Sequence, residues 1–219
     1  MACLTDSSYI RVMKISYAIT VKDEINEIQK LLSFLLEYKR KEDEIVVLYD
    51  NMGGSIRVES YLRSQNVEAS KFRWHAYPFD GHFDRFKNHL TALCEGDYII
   101  NIDADEMPTA TFMENIPTIL EENDVDMIMV PRVNTVKGLT DQHIQKWGWK
   151  VNEKGWVNWP DAQQRIYKNN DSIKWVNRVH EVLEGYNTVT NLPIEEEWAF
   201  KHPKTIERQE RQNNYYDTL

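Results

Sequence analysis

Three acids close the most apolar strand-like run in the chain. Gly96-Asp97-Tyr98-Ile99-Ile100-Asn101-Ile102 passes directly into Asp103-Ala104-Asp105-Glu106-Met107-Pro108. Tyr98 to Ile102 is short and β-branched, the composition of a buried central parallel strand. Strand alternation sends Asp103 and Asp105 to one face and Ala104 to the other. Two carboxylates then converge at a strand's carboxyl end, where open α/β sheets bind ligands. Like charges about 4 Å apart at an effective dielectric of about 20 repel by roughly 4 kcal/mol, so a shared proton, a basic partner or a divalent cation must relieve them. Hard oxygen ligands favour Mg2+ or Mn2+, ions that keep water and bridge to substrate phosphates. A diphosphate-bearing substrate fits that chemistry. The plain structural alternative is that Asp103, Asp105 or Thr109 caps the next helix, with Glu106 in its acidic first turn. Capping accounts for one acid better than for three.

The elements that must position these acids are legible on both sides. Met13 to Ile19 reads as a first strand and Thr20 to Glu24 as its loop. Ile25, Ile28, Leu31, Leu32, Leu35 and Leu36 then form one helical stripe, with Lys39-Arg40-Lys41 expected in the last turn. Glu44 to Tyr49 is a second buried strand, closing on the turn Asp50-Asn51-Met52-Gly53-Gly54. A helix over Ile56 to Gln65, a strand over Phe72 to Tyr77 and a helix over His82 to Glu95 follow, the last ended by Gly96 as a C-cap. Beyond the acids come a helix over Thr111 to Glu122 and a strand over Asp126 to Val136, interrupted at Pro131. This alternation predicts an α/β fold with a mostly parallel sheet flanked by helices. From Gly138 to Leu192 the chain is aromatic and loop-rich, with short strands over Gln163 to Lys168, Trp175 to Val179 and Val189 to Leu192; it reads as a cap on the sheet's ligand edge. Thr205 to Leu219 is a polar helix anchored by Ile206, Tyr215 and Tyr216.

Composition narrows the function classes. A length of 219 residues suits one sizeable domain, and 42% hydrophobic with 28% charged residues describes an ordinary globule. The net charge of -9 argues against a general nucleic-acid binder, since there is no basic face to neutralise a phosphate backbone. Met1 to Arg11 carries no signal-like apolar segment, and no window reaches the roughly 18 apolar residues of a membrane span, so a cytoplasmic protein, at most peripherally membrane-associated, is expected. Cys3 and Cys94 form neither a disulfide framework nor a metal-ligand pattern. Of seven tryptophans, five (Trp147, Trp149, Trp156, Trp159 and Trp175) crowd into the last third, as core or as a wall on which a sugar ring could stack.

Several segments, in order and spacing, resemble the family 2 inverting glycosyltransferases of GT-A fold, in the subgroup whose acidic motif runs Asp-x-Asp-Glu. They are Thr20-Val21-Lys22-Asp23-Glu24, Val47-Leu48-Tyr49-Asp50-Asn51, Phe83 to Asn88, and Gly96 to Ile99 leading into Asp103-Ala104-Asp105-Glu106. Arg165-Ile166-Tyr167-Lys168-Asn169, Val179-His180-Glu181 and His202-Pro203 continue the pattern downstream. The resemblance implies a Rossmann-like nucleotide-diphospho-sugar transferase domain. Its nucleotide-sugar-binding half would span about 1–136, and its aromatic, loop-rich acceptor-side half about 137–219. It implies Asp50 on the nucleotide base, Thr20 and Glu24 lining the same pocket, and Lys87 or Arg85 near the base or phosphates. Asp103 would face the ribose, the sugar or the metal, and Asp105 would hold Mn2+ or Mg2+ against the diphosphate. His202 would complete the metal site, with His180 as its rival. The catalytic base is expected at Glu181, with Asp161 and Glu106 as substitutes, since the family's commonest Glu-Asp pair and Gln-x-x-Arg-Trp segment are missing here. Arg165 would pair with a carboxylate or bind phosphate. The implied donor is a nucleoside-diphosphate sugar, of UDP or dTDP type because a carboxylate accepts the N3 proton of uracil or thymine. The acceptor would be a glycan, a lipid-linked sugar or a protein. Two other readings stand beside it: a sugar-1-phosphate nucleotidyltransferase, and an inactive nucleotide- or carbohydrate-binding module.

Overall fold

Buried β-branched runs set the centre of the sheet, and the helical stripes between them cover its faces. The computed structural model describes residues 12–65 and 71–216. The readings of Met1–Arg11, of Cys3 and of the last three residues lie outside these. In chain order the first elements are β1 (Ile15–Val21), α1 (Ile25–Tyr38), β2 (Glu44–Asp50), α2 (Ile56–Gln65), β3 (Arg73–Tyr77), α3 (Phe83–Leu93), β4 (Tyr98–Asp103) and α4 (Ala110–Glu122). Then come β5 (Met127–Val130), β6 (Arg132–Lys137), α5 (Asp141–Trp147), β7 (Gln163–Lys168), β8 (Lys174–Val176) and β9 (Val182–Glu184). Last are β10 (Val189–Asn191), β11 (Phe200–Thr205) and α6 (Ile206–Tyr216).

The main sheet has seven strands in the order β10-β5-β7-β4-β1-β2-β3. Only β7 runs antiparallel to its neighbours, β4 and β5. Ile15, Ile19, Ile45, Val47, Ile100 and Ile102 pack from the sheet against Ile28, Leu31, Leu32 and Leu35 of α1 and Phe112 and Ile116 of α4 in one buried cluster. Each such side chain stabilises the fold by roughly 1.5–3 kcal/mol. This is the mostly parallel α/β architecture expected from the alternation of elements, with helices on both faces.

The last third is more than a cap. β7 inserts into the middle of the sheet, and β10 extends its edge alongside β5. Gln163, Gln164 and Arg165 make β7 look polar, yet Arg165, Ile166 and Tyr167 are all buried. Pro131 divides the strand over Asp126 to Val136 as expected, but into partners of different sheets: β5 joins the main sheet and β6 pairs in parallel with β11. Two further expectations fail on local geometry. Lys39 to Lys41 lie beyond the end of α1, where Arg40 bonds to Asp43, Glu121 and the Met13 carbonyl. Gly96 is not the cap of α3, which ends at Leu93; it is small because a Cβ there would lie 2.6 Å from the Ser16 backbone nitrogen.

Glu44 ties the amino-terminal ends of these strands together. Its carboxylate accepts from the Ser16 hydroxyl (2.6 Å), the Glu95 backbone N–H (2.6 Å) and Arg73 (2.8 Å), and pairs with Lys14 at 3.1 Å. Burial raises its pKa, and these four partners outweigh that and hold it below the usual carboxylate range. A depressed folded-state pKa contributes stability that is present above the unfolded value of about 4.3 and is lost as pH falls through the folded value. The stability gap between wild type and Glu44→Gln is therefore expected to be flat near neutrality, at about 1–3 kcal/mol, and to close in acid. Urea denaturation at several pH values measures it, and a gap that widens in acid would contradict this assignment.

Candidate active site

The acidic segment is a tight turn pinned to β1. Asp103, the last residue of β4, stands opposite Thr20 in register, and the Ala104 N–H donates to the Thr20 carbonyl at 3.1 Å. The Glu106 N–H closes the turn on the Asp103 carbonyl at 2.8 Å, while the Glu106 carboxylate turns back to accept from the Asp103 N–H at 3.2 Å. Helix capping falls to Thr109, whose hydroxyl accepts from the Phe112 N–H. The three acids are thus left for other roles, and they divide between two charge clusters.

The first cluster holds Asp103, Glu106, Asp161 and Glu181 against three buried or half-buried bases. Arg165 donates to Asp103 Oδ2 at 2.8 Å and to Glu106 Oε1 at 2.6 Å. It reaches them because β7 lies beside β4. Arg132 bonds Glu106 at 3.0 Å and Asp161 at 2.7 Å. Lys87, on the inward face of α3, meets Glu181 at 2.6 Å and Asp103 at 3.4 Å, with its ammonium 4.7 Å from the Trp175 ring. Burial pushes the Asp103 carboxyl up, and Arg165, Lys87 and Arg132 pull it far below the ordinary range. Asp161 is likewise lowered: against its burial stand Arg132, Asn134 and Gln163, which together engage both of its oxygens.

The second cluster surrounds Asp105. Met107 and Lys201 exchange backbone hydrogen bonds, which docks β11 on the acidic turn and brings His202 to Asp105. His202 Nε2 lies 3.2 Å from Asp105 Oδ2. On the other side of the ring, His202 Nδ1 is 2.7 Å from Asn134 Oδ1, its register partner on β6. The Asn134 amide nitrogen donates to Asp161 Oδ2 at 2.6 Å, which fixes the amide's orientation. Nδ1 therefore carries hydrogen, and Nε2 faces a carboxylate. Two acceptors in contact require a proton or a cation between them. A histidine held by a carbonyl through its other nitrogen is the usual preparation of a metal ligand. Asp105 and His202 thus fit a cation that takes its remaining ligands from phosphate and water, as Mg2+ or Mn2+ does. Among the described residues no group of three or more His, Cys, Asp and Glu side chains is gathered for a metal. Burial raises the Asp105 pKa, and His202, Lys204 and Arg208 together drive it well below the usual range.

The remaining predicted residues fall at different distances from this centre. Thr20 donates to Asp103 at 3.2 Å. Glu24 folds back on its own loop, accepting from the Lys22 and Asp23 N–H groups, and its other oxygen takes Arg208 at 2.9 Å. Asp50 is buried, and its Oδ1 accepts three backbone N–H bonds, from Met52, Gly53 and Phe79. The base contact expected of Asp50 would fall to its Oδ2. Arg85 is exposed and pairs with Asp80 at 3.0 Å. His180 is exposed too, at a left-handed φ of 54°, with its ring edge-on to Tyr216 rather than against Asp105. Arg132, Asn134, Lys204 and Arg208 belong to the site and escaped the sequence reading. Arg132 directly follows the strand-breaking Pro131, and Lys204 lies two residues beyond His202. No spacing in Ile206–Tyr216 marks Arg208. Two clefts, of about 470 Å³ between α1 and α2 and about 320 Å³ around Asp97, Asp124 and Lys168, lie away from the acidic turn.

No protein-family model matches the sequence, and no curated protein matches it either. Solved structures do share the fold. The structure of S. aureus TarS 1–349 in complex with UDP-GlcNAc superimposes with a TM-score of 0.60 at 14% identity, over 88% of this chain and 59% of that one. The same TarS fragment with UDP gives 0.57, and TarS itself gives 0.58 over 92% of this chain and 38% of that one. The fold is therefore that of the GT-A glycosyltransferases, and this chain spans about three-fifths of the length of the TarS fragment.

Glu106 has a fully buried side chain, so losing Arg165 leaves its charge to Arg132 and the Asp103 N–H. Breaking such a pair costs about 3–5 kcal/mol. Arg165→Met is expected to lower the melting temperature by about 6–20 °C, and Arg165→Lys by less. Calorimetric melting decides this, and an unchanged melting point for Arg165→Met would overturn the assignment.

Proposed function

We propose that this protein is a metal-dependent inverting glycosyltransferase that moves a sugar from a nucleoside diphosphate to a carbohydrate-bearing, lipid-linked or protein acceptor. The observation that carries the reading is the pair of Asp105 and His202, set at the carboxyl end of a central strand in a GT-A fold with the imidazole tautomer fixed by Asn134. Mn2+ or Mg2+ held there supplies charge stabilisation to the departing diphosphate. The chain's own residues do the rest. Asp50 Oδ2 accepts from the N3–H of uracil or thymine, which favours a UDP or dTDP donor. Thr20 and Asp103 face the ribose or the sugar, and Glu24 lines the same pocket.

Inversion requires a base on the face of the anomeric carbon opposite the leaving group. The acceptor oxygen bonds to that carbon as the bond to the diphosphate oxygen breaks, and the acceptor proton passes to a carboxylate. Glu181 suits this better than Asp161, because Lys87 engages Glu181 through one oxygen while Asp161 is held on both. Glu181 also lies in the loop between β8 and β9, next to His180 at its left-handed φ, a conformation that recurs at functional sites. Lys87 orients the carboxylate and must yield as the proton arrives.

Asp105→Ala is expected to abolish manganese-dependent binding of UDP and to cut sugar transfer by at least 100-fold while leaving the melting temperature within about 3 °C. Isothermal calorimetry and detection of released nucleoside diphosphate measure these. Unchanged turnover would sink the reading, and pyrophosphate release from a nucleoside triphosphate with sugar phosphate would replace it with nucleotidyl transfer. Manganese-dependent binding with no release in any acceptor mixture would leave a binding module.

A further inference from the structure

α6 begins where β11 ends, only four residues past His202, and folds back across the acidic turn. Arg208, in its first turn, donates to Glu24 Oε1 at 2.9 Å, lies 3.3 Å from Asp105 Oδ2 and 3.7 Å from Glu27. At the far end of the helix, Tyr216 packs edge-on against Phe83 and His180, with ring centroids 5.8 and 5.7 Å apart. The Lys22 ammonium sits 5.2 Å from the Tyr215 ring. Gln212 accepts from Lys204 and donates to the Tyr216 hydroxyl. The helix therefore spans from the loop after β1 to the start of α3. None of its side chains is fully buried.

Arg208 takes part of the place that a cation and a donor would need. It shares Asp105 Oδ2 with His202, so a divalent ion arriving alone meets a guanidinium on the same carboxylate oxygen, and the two charges repel. A diphosphate arriving with the ion changes the sign. It brings negative oxygens whose spacing matches the guanidinium fork, and Arg208 can leave Glu24 and Asp105 for a stronger, charge-assisted pair.

We infer that α6 is a donor latch: Arg208 neutralises Glu24 and Asp105 in the donor-free protein and exchanges them for the diphosphate of a nucleoside diphosphate when that ligand binds with its ion. This rests on the function proposed above. Its signature is a pair of effects of opposite sign from one substitution, which a merely structural arginine does not produce.

The test is calorimetric titration of the intact chain with Mn2+ alone, with UDP at saturating Mn2+, and with uridine. Arg208→Ala is expected to bind Mn2+ alone at least as tightly as wild type and several-fold tighter at low salt. It should bind UDP roughly 10- to 100-fold more weakly, the loss of a charge-assisted hydrogen bond pair, and uridine equally well. Arg208→Lys, which keeps the charge and loses the fork, should fall between for UDP. If wild type binds UDP with Mn2+ and Arg208→Ala matches it in all three titrations, the latch is overturned and the proposed function stands. An equal loss for UDP and uridine also overturns it, because the arginine then supports the fold. Failure of wild type to bind UDP with Mn2+ overturns both.

Discussion

Carboxylates gathered at the end of a buried strand must be met by fixed positive charge, and much of this chain is arranged to supply it. Glu106 has no solvent contact through its side chain and Asp103 stands beside it, so two arginines have to reach the turn from elsewhere. β7 delivers Arg165 by lying antiparallel between β4 and β5, and β6 delivers Arg132 after the break at Pro131. The departure from a purely parallel sheet and the switch of the chain into a second, small sheet both serve the same electrostatic need.

That supply divides the acidic turn by task. Glu106 is buried between two arginines and Asp103 meets Arg165 and Lys87, whereas Asp105 faces an imidazole whose other nitrogen is already committed and shares its oxygen with Arg208. A carboxylate paired with an imidazole can share a cation with it in a way that Glu106, clamped by two guanidiniums, cannot. Ala104 between them is buried and small, so the turn can pass from one cluster to the other without lifting off the core.

The sequence carried the frame well because it is written in periodicities. The stripe on α1, the apolar runs of β1, β2 and β4 and the proline between β5 and β6 all appear where their spacing places them. Motif order also singles out Asp103, Asp105, His202 and Glu181, which the fold places in two neighbouring charge clusters, Asp103 and Glu181 on Lys87 and His202 on Asp105. The sequence concealed whatever depends on charge being buried by a distant partner. β7 reads as a short polar strand of a cap because Gln163, Gln164 and Arg165 open it, and nothing in its composition marks a place between β4 and β5. Arg208 and Lys204 lie in a stretch whose composition matches any solvated helix. Gly96 shows the converse error: its place after a helix suggested a cap, while its real constraint is the backbone of β1 passing alongside.

Asp161 illustrates how position in such a lattice can imitate a role in bond making. Its carboxylate orients the Asn134 amide, the amide selects which nitrogen of His202 is protonated, and that choice turns the other nitrogen toward Asp105. Removing the acid frees the amide to rotate, and the imidazole can then present a hydrogen where a lone pair is wanted. A loss of function on mutating Asp161 can thus report a lost tautomer two side chains away as well as a missing proton acceptor.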